Sequence, residues 1–229
     1  FVDLVGARLT ARAGRLNLVS VGPVDGTQGE VIASGSGAAS TLSTTGFSKP
    51  GSITIVRTNL DTSSTSNMNN SGSIFIRGGE IIIETALPSV TPTIDSTNLG
   101  NAGKGGPIDI QGNIILITDS YVKTNNEGFG DGSDIRIVAT DSVNLNHSLI
   151  FAATGRGAIG DPSGDSGSIL VKGKSIALDI SELRSQTFGT GKAGSITLTA
   201  DQDISMSNFS NIFSFTQAGK SKGAGDISL

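Results

Sequence analysis

Gly167-Ser168-Ile169-Leu170-Val171 and Gly194-Ser195-Ile196-Thr197-Leu198 are two copies of one short sentence: a glycine, a small polar residue, then apolar side chains at alternate positions. Alternation with period two puts the two apolar residues on one face of a strand and the residue between them on the other. The glycine marks the turn that delivers the chain into that strand. Working outward, the same pattern stands at Gly51-Ser52-Ile53-Thr54-Ile55, Gly72-Ser73-Ile74-Phe75-Ile76, Gly106-Pro107-Ile108-Asp109-Ile110, Ser133-Asp134-Ile135-Arg136-Ile137 and Gly225-Asp226-Ile227-Ser228-Leu229. Subtracting the numbers of the first apolar residues gives spacings of 21, 34, 27, 34, 27 and 31 residues.

Self-similarity at this period is the mark of a repeat architecture. A second apolar pair follows each of the middle five copies: Ile81 and Ile83, Ile115 and Ile117, Val143 and Leu145, Ile176 and Leu178, Ile204 and Met206. A third segment is led by Val122, Ile150, Leu183 and Ile212. Each unit therefore reads strand, corner, strand, corner, strand, loop, with length variation expected mainly after the third strand, where a loop projects into solvent. One such unit cannot bury its own apolar faces, whereas stacked units can, each strand pairing in parallel register with its equivalent in the next at about 4.8 Å. The expected fold is all-β, a right-handed parallel β-helix (β-solenoid) with about 27–34 residues per coil and three strands per coil. Ile53, Ile74, Ile108, Ile135, Ile169, Ile196 and Ile227 should form one core column, and Ile55, Ile76, Ile110, Ile137, Val171, Leu198 and Leu229 its neighbour. A β-sandwich is the rival, but its turns recur about every 8–12 residues without a coil-length period.

Composition supports this and removes other classes. The chain has 229 residues, of which 32 are Gly, with 36% hydrophobic and 16% charged residues and no Cys or Trp. Abundant β-branched apolar residues argue against disorder. The absence of Cys removes disulfides and thiolate metal or redox sites, and the single histidine, His147, removes a multi-histidine site within the chain. A formal net charge of −4 speaks against a nucleic-acid partner. No apolar run is long enough for a membrane-spanning helix.

The stretch from Gly6 to Gly22, Gly-Ala-Arg-Leu-Thr-Ala-Arg-Ala-Gly-Arg-Leu-Asn-Leu-Val-Ser-Val-Gly, resembles the end of the haemagglutination-activity region of filamentous-haemagglutinin-like proteins, the secreted passengers of two-partner secretion. Residues 51–76 and the later coils resemble repeats of cyanobacterial and proteobacterial members. The resemblance implies a division into 1–50, the end of the haemagglutination-activity-like region with irregular coils, and 51–229, regular coils of one continuous solenoid. It also implies Sec export, an outer-membrane transporter as partner, and a location secreted or at the bacterial cell surface. The chain begins at Phe1 without a leader and stops at Leu229 in mid-pattern, so it reads as a segment of a longer protein.

Candidate chemistry is sparse. Asp131, Asp134, Asp161 and Asp165 lie in loops entering successive coils, where stacking brings them together, and they form a weak candidate calcium site. Gly128-Phe129-Gly130-Asp131-Gly132-Ser133-Asp134 matches a calcium-binding nonapeptide only in part, and Asp also favours turns for local reasons. His147 sits at the corner position that Ile180 and Phe209 occupy in later coils and has no oriented partner in sequence, which makes it structural. Gly189-Thr190-Gly191-Lys192-Ala193-Gly194 fails the phosphate-loop pattern, because Gln186 and Ala193 stand where Gly and Ser/Thr belong. Outward positions such as Asp109, Arg136 and Thr197 form neither the carboxylate pair of a glycosidase nor a regular threonine array for ice, and Phe75 and Leu170 are outward apolar residues.

No catalytic residue and no cofactor other than possible calcium are expected, and the chain is expected not to be an enzyme. The expected function is that of a secreted or cell-surface fibre for adhesion, aggregation or extracellular matrix, contacting surface or matrix glycans or proteins. The alternatives are a filament subunit that assembles end to end through unpaired strand edges, and an enzyme acting on polysaccharides.

Overall fold

The computed structural model describes residues 1–23, 30–34, 41–65, 70–85, 94–155, 164–217 and 221–229. It is an all-β parallel β-solenoid. The chain enters through β1 (Val2–Val5), β2 (Arg8–Thr10) and β3 (Arg15–Val19), then forms β4 (Glu30–Ser34), β5 (Thr41–Thr45), β6 (Ile53–Val56) and β7 (Asn59–Asp61). The next turn holds β8 (Ser73–Arg77), β9 (Glu80–Glu84) and β10 (Ile94–Asp95). Four turns then use one long and one shorter strand each: β11 (Ile108–Thr118) with β12 (Tyr121–Asn126), β13 (Ile135–Asn146) with β14 (Leu149–Thr154), β15 (Ile169–Asp179) with β16 (Glu182–Thr187), and β17 (Ile196–Ser207) with β18 (Asn211–Thr216). A last strand, β19 (Ile227–Ser228), lies on β17.

Three strand positions recur in each turn, as expected. In the later turns the first two merge into one strand bent at the corner, and the register of neighbouring long strands shifts there, between Gly112 and Ile114, Val138 and Ser142, and Gly173 and Ser175. Two large parallel sheets result. One has ten strands, in the order β1-β6-β9-β11-β13-β15-β17-β19 with β3 and β8 alongside; the other has seven, β18-β16-β14-β12-β10-β7-β2.

Three apolar ladders fill the interior. The first climbs Leu16, Ile74, Ile108, Ile135, Ile169, Ile196 and Ile227. The second climbs Val2, Ile53, Ile81, Ile115, Val143, Ile176 and Ile204. The third climbs Leu9, Leu60, Ile94, Val122, Ile150, Leu183 and Ile212. Most central members are wholly buried, each contributing roughly 1.5–3 kcal/mol of transfer free energy.

Two sequence expectations are corrected. Ile53 and Ile55 belong to the second ladder, paired with Ile81 and Ile83, and Leu16 and Leu18 take the places below Ile74 and Ile76. The motif Gly-Ser-Ile-Thr-Ile thus serves two different strand positions. Insertions are also not confined to the third corner. Residues 20–52 intervene between the first and second strands of one turn, carrying the antiparallel pair β4–β5, and residues 85–93 separate β9 from β10. The strands of residues 2–19 continue the same ladders as those beyond residue 51. Ile227 and Leu229 are exposed, because no further rung covers them among the described residues.

Candidate functional site

The coil-entry loops place the predicted aspartates in successive turns. Asp131 Oδ2 receives the Lys104 ammonium at 2.8 Å, and its Oδ1 accepts the backbone N–H of Asp165 at 3.2 Å. Asp165 Oδ1 in turn accepts the N–H of Lys192 at 2.8 Å and the Lys222 ammonium at 3.3 Å. Asp134 Oδ1 accepts the N–H of Ser168 at 2.8 Å. The Lys104 hydrogen bond, opposed by partial burial, holds the Asp131 carboxyl below its usual range, and the same contact raises the Lys104 ammonium. These carboxylates act as caps joining one turn to the next. No group of three or more His, Asp or Glu side chains is placed to hold a metal ion among the described residues; Asp161 lies outside them.

His147 lies at the second corner in the left-handed region, with φ 48°, as do Asp119, Ile180 and Asn208. Its Nδ1 is 2.8 Å from Asp119 Oδ1 of the turn before, a partner that sequence spacing did not disclose. Ile180 does occupy the equivalent place above it, but Phe209 is an additional residue there: Asp179 pairs with Ser207, so Asn208 follows in register. Gly191 sits in a coil-entry turn, where a Cβ would meet the carbonyl oxygen of Gly164 at 2.0 Å; the false phosphate loop is a packing feature.

The outer face of the first strand position carries a ladder of its own. Asp109 accepts hydrogen bonds from Arg77 at 2.8 Å, Arg136 at 3.2 Å and the Gln111 amide at 3.1 Å. Burial pulls the Arg77 guanidinium down from its ordinary value, and Asp109 opposes that pull. Phe75 faces outward as expected, yet only 4% of it is exposed. The Arg15 and Arg77 guanidiniums lie over its ring, 4.6 and 5.7 Å from the centroid.

Beside this ladder, at the first corner, lies a cleft of about 370 Å³. One wall is the base of the 20–50 insertion, where Gly22 N–H donates to the Lys49 carbonyl at 2.7 Å and Ser48 N–H to the Pro23 carbonyl at 2.9 Å. Phe47, Lys49 and Pro50 line this wall. The other wall is the stacked corner of three turns, contributing Arg77, Gln111, Asn113 and Thr140. Gly78 and Gly112 keep the floor low: a Cβ on Gly112 would meet the Gly79 carbonyl oxygen at 2.9 Å. Sequence reasoning missed this cleft because it took residues 1–50 as irregular coils. Its signals were Gly78-Gly79 and Gly112 at one corner and the Phe47-Ser48-Lys49-Pro50 return arm.

The chain matches no family model, no curated protein and no solved structure.

Proposed function

We propose that this chain is a segment of a non-enzymatic fibrous β-solenoid, secreted or displayed at a bacterial cell surface, that serves adhesion, aggregation or matrix building. The observation that carries this reading is the run of parallel ladders, with chain-length variation falling between the strands. A stack of this kind is a stiff rod that presents side chains at a fixed repeat. The likeness of residues 6–22 to the haemagglutination-activity region supports export by two-partner secretion through an outer-membrane transporter. The partners it favours are glycans or proteins of a surface or matrix. An enzyme acting on polysaccharides fits less well, since Asp109, the carboxylate at the centre of the outer ladder, is neutralised by two arginines.

Negative-stain electron microscopy at two protein concentrations, paired with binding to immobilised glycans and matrix proteins, tests the reading. Rods of fixed length that bind such surfaces support it. Fibres that lengthen with concentration favour an end-to-end filament. New reducing ends released from acidic glycans establish an enzyme.

A further inference from the structure

We propose that the first-corner cleft binds one carboxylated sugar ring, of the uronate or sialate class, with Lys49 on its carboxylate. The inference rests on the adhesive reading above and names a ligand class for it. The volume of about 370 Å³ lies at the small end of ligand sites, which run from about 300 to 1,000 Å³. It suits a single ring and leaves little room for a folded peptide segment. Phe47 and Pro50 give the return arm an apolar surface of the kind that packs against the C–H face of a sugar. The opposite wall is polar. Gln111 spends its amide donors on Asp109 and keeps its carbonyl oxygen as an acceptor for a hydroxyl. Asn113 accepts from Thr140 at 3.3 Å through its carbonyl oxygen and keeps its amide N–H groups as donors.

One feature points to a missing partner. The Lys49 ammonium has no ion-pair partner among the described residues, while Arg77, the other cation of the cleft, is matched by Asp109. Among the described residues, the lining of the cleft therefore offers one unmatched cation beside neutral donors and acceptors. That combination selects a monoanionic polyol over a neutral sugar or a phosphate ester of higher charge.

Isothermal titration of the whole chain with glucuronate, N-acetylneuraminate, glucose and N-acetylglucosamine tests this. At least one of the two acids should bind about tenfold tighter than both neutral sugars. Lys49→Met, which keeps the aliphatic stem, should remove that margin at unchanged Tm, and Asn113→Ala should weaken the acids and neutral sugars alike. Lys49→Arg should keep the margin, which guards against a merely unfolded Lys49→Met. Failure of both acids to bind, equal affinity for acids and neutral sugars, or a margin that survives Lys49→Met overturns the proposal. If Lys49→Met protein still adheres to glycan-coated surfaces while no single sugar binds, the cleft assignment falls and the adhesive function stands. If wild-type protein binds neither, both fall.

Discussion

At residue 106 a methyl group has nowhere to go. A Cβ there would lie 1.8 Å from the Gly72 carbonyl oxygen and 2.7 Å from Ser96 Oγ. The same conflict recurs up the column, with a Cβ on Gly167 meeting the Ser133 carbonyl oxygen at 1.7 Å and one on Gly194 meeting the Gly167 oxygen at 2.1 Å. Hydroxyls of the third strand position bond the carbonyls of this column: Thr124 donates to Gly106 at 3.0 Å, Ser185 to Gly167 at 2.9 Å and Ser214 to Gly194 at 2.9 Å. In the turn where the column carries Ser133 in place of glycine, the third strand carries Ala152 in place of the hydroxyl. Gly106→Ala should therefore destabilise by about 2–4 kcal/mol, read as a lowered urea midpoint, whereas Ser133→Gly should cost less than about 1 kcal/mol. Equal losses at the two sites would remove the steric account.

Charge at the residue scale gives a pH signature. Asp61 and Asp95 occupy neighbouring rungs, with Arg8 2.7 Å from Asp61 and Lys123 3.7 Å from Asp95. Burial alone would raise Asp61, but hydrogen bonds from Ser63 and Arg8 outweigh it and the carboxyl is lowered from 3.8. A lowered folded pKa adds stability above the unfolded value and loses it as pH falls below about 4. Asp95 is raised, first by burial, so its ionised form costs stability that protonation returns as the pH falls. Asp61→Asn should thus lower Tm at pH 7 by roughly 2–4 °C, with the difference shrinking as the pH falls below about 4. A deficit that stays constant as the pH is lowered through the carboxylate range would show that the carboxylate's charge is not its source.

Among elements, the second corner is built to one recipe. A residue with positive φ is followed by a serine hydroxyl that accepts the N–H of the previous rung: Ser148 Oγ takes Ser120 N–H at 3.2 Å, Ser181 takes Ser148 at 3.0 Å, and Ser210 takes Ser181 at 3.1 Å. Ile180 is the misfit of this ladder, a β-branched residue at φ 48° with half its surface exposed. The left-handed region costs such a residue about 1–2 kcal/mol, and Asn much less. Ile180→Asn should raise Tm by several degrees; a fall would mean that its apolar contacts outweigh the backbone cost. Ser148→Ala should act in the other direction, orphaning a buried N–H at about 1–3 kcal/mol. Alternation and coil spacing made these strands and three of their ladders readable from residue 74 onward, because parallel in-register stacking repeats residue types. The earlier turns were not readable in the same way. Gly51-Ser52-Ile53-Thr54-Ile55 and Gly194-Ser195-Ile196-Thr197-Leu198 are nearly the same string, yet they stand at different strand positions; only the pairing of Ile53 with Ile81 tells them apart. The cleft was hidden for a related reason, since one wall comes from residues 19–50 and the other from residues 77–140, and their meeting depends on that register.

Over the whole molecule, the strands of each turn pair only with those of the turn above and the turn below, so stability is close to a sum of nearest-neighbour terms and not the property of one central core. The consequence is a strong dependence on where a rung is broken. Ile135 is wholly buried, with Ile108 on one side and Ile169 on the other. Ile227 holds the equivalent place in the same ladder but is 47% exposed and paired on one side only, to Ile196. A carboxylate at 135 enters an apolar interior with no cation facing it, which costs several kcal/mol unless the ladder opens. At 227 the same carboxylate reaches water. Ile135→Asp should therefore split thermal unfolding into two transitions or lower its midpoint by more than about 10 °C, while Ile227→Asp should shift it by less than about 2 °C. Hydrogen exchange adds the spatial test: loss of protection in Ile135→Asp should centre on β11, β13 and β15 and fade with each rung toward β17. Uniform loss across every strand would mean that the solenoid unfolds as one cooperative unit and that the nearest-neighbour description is wrong for this chain.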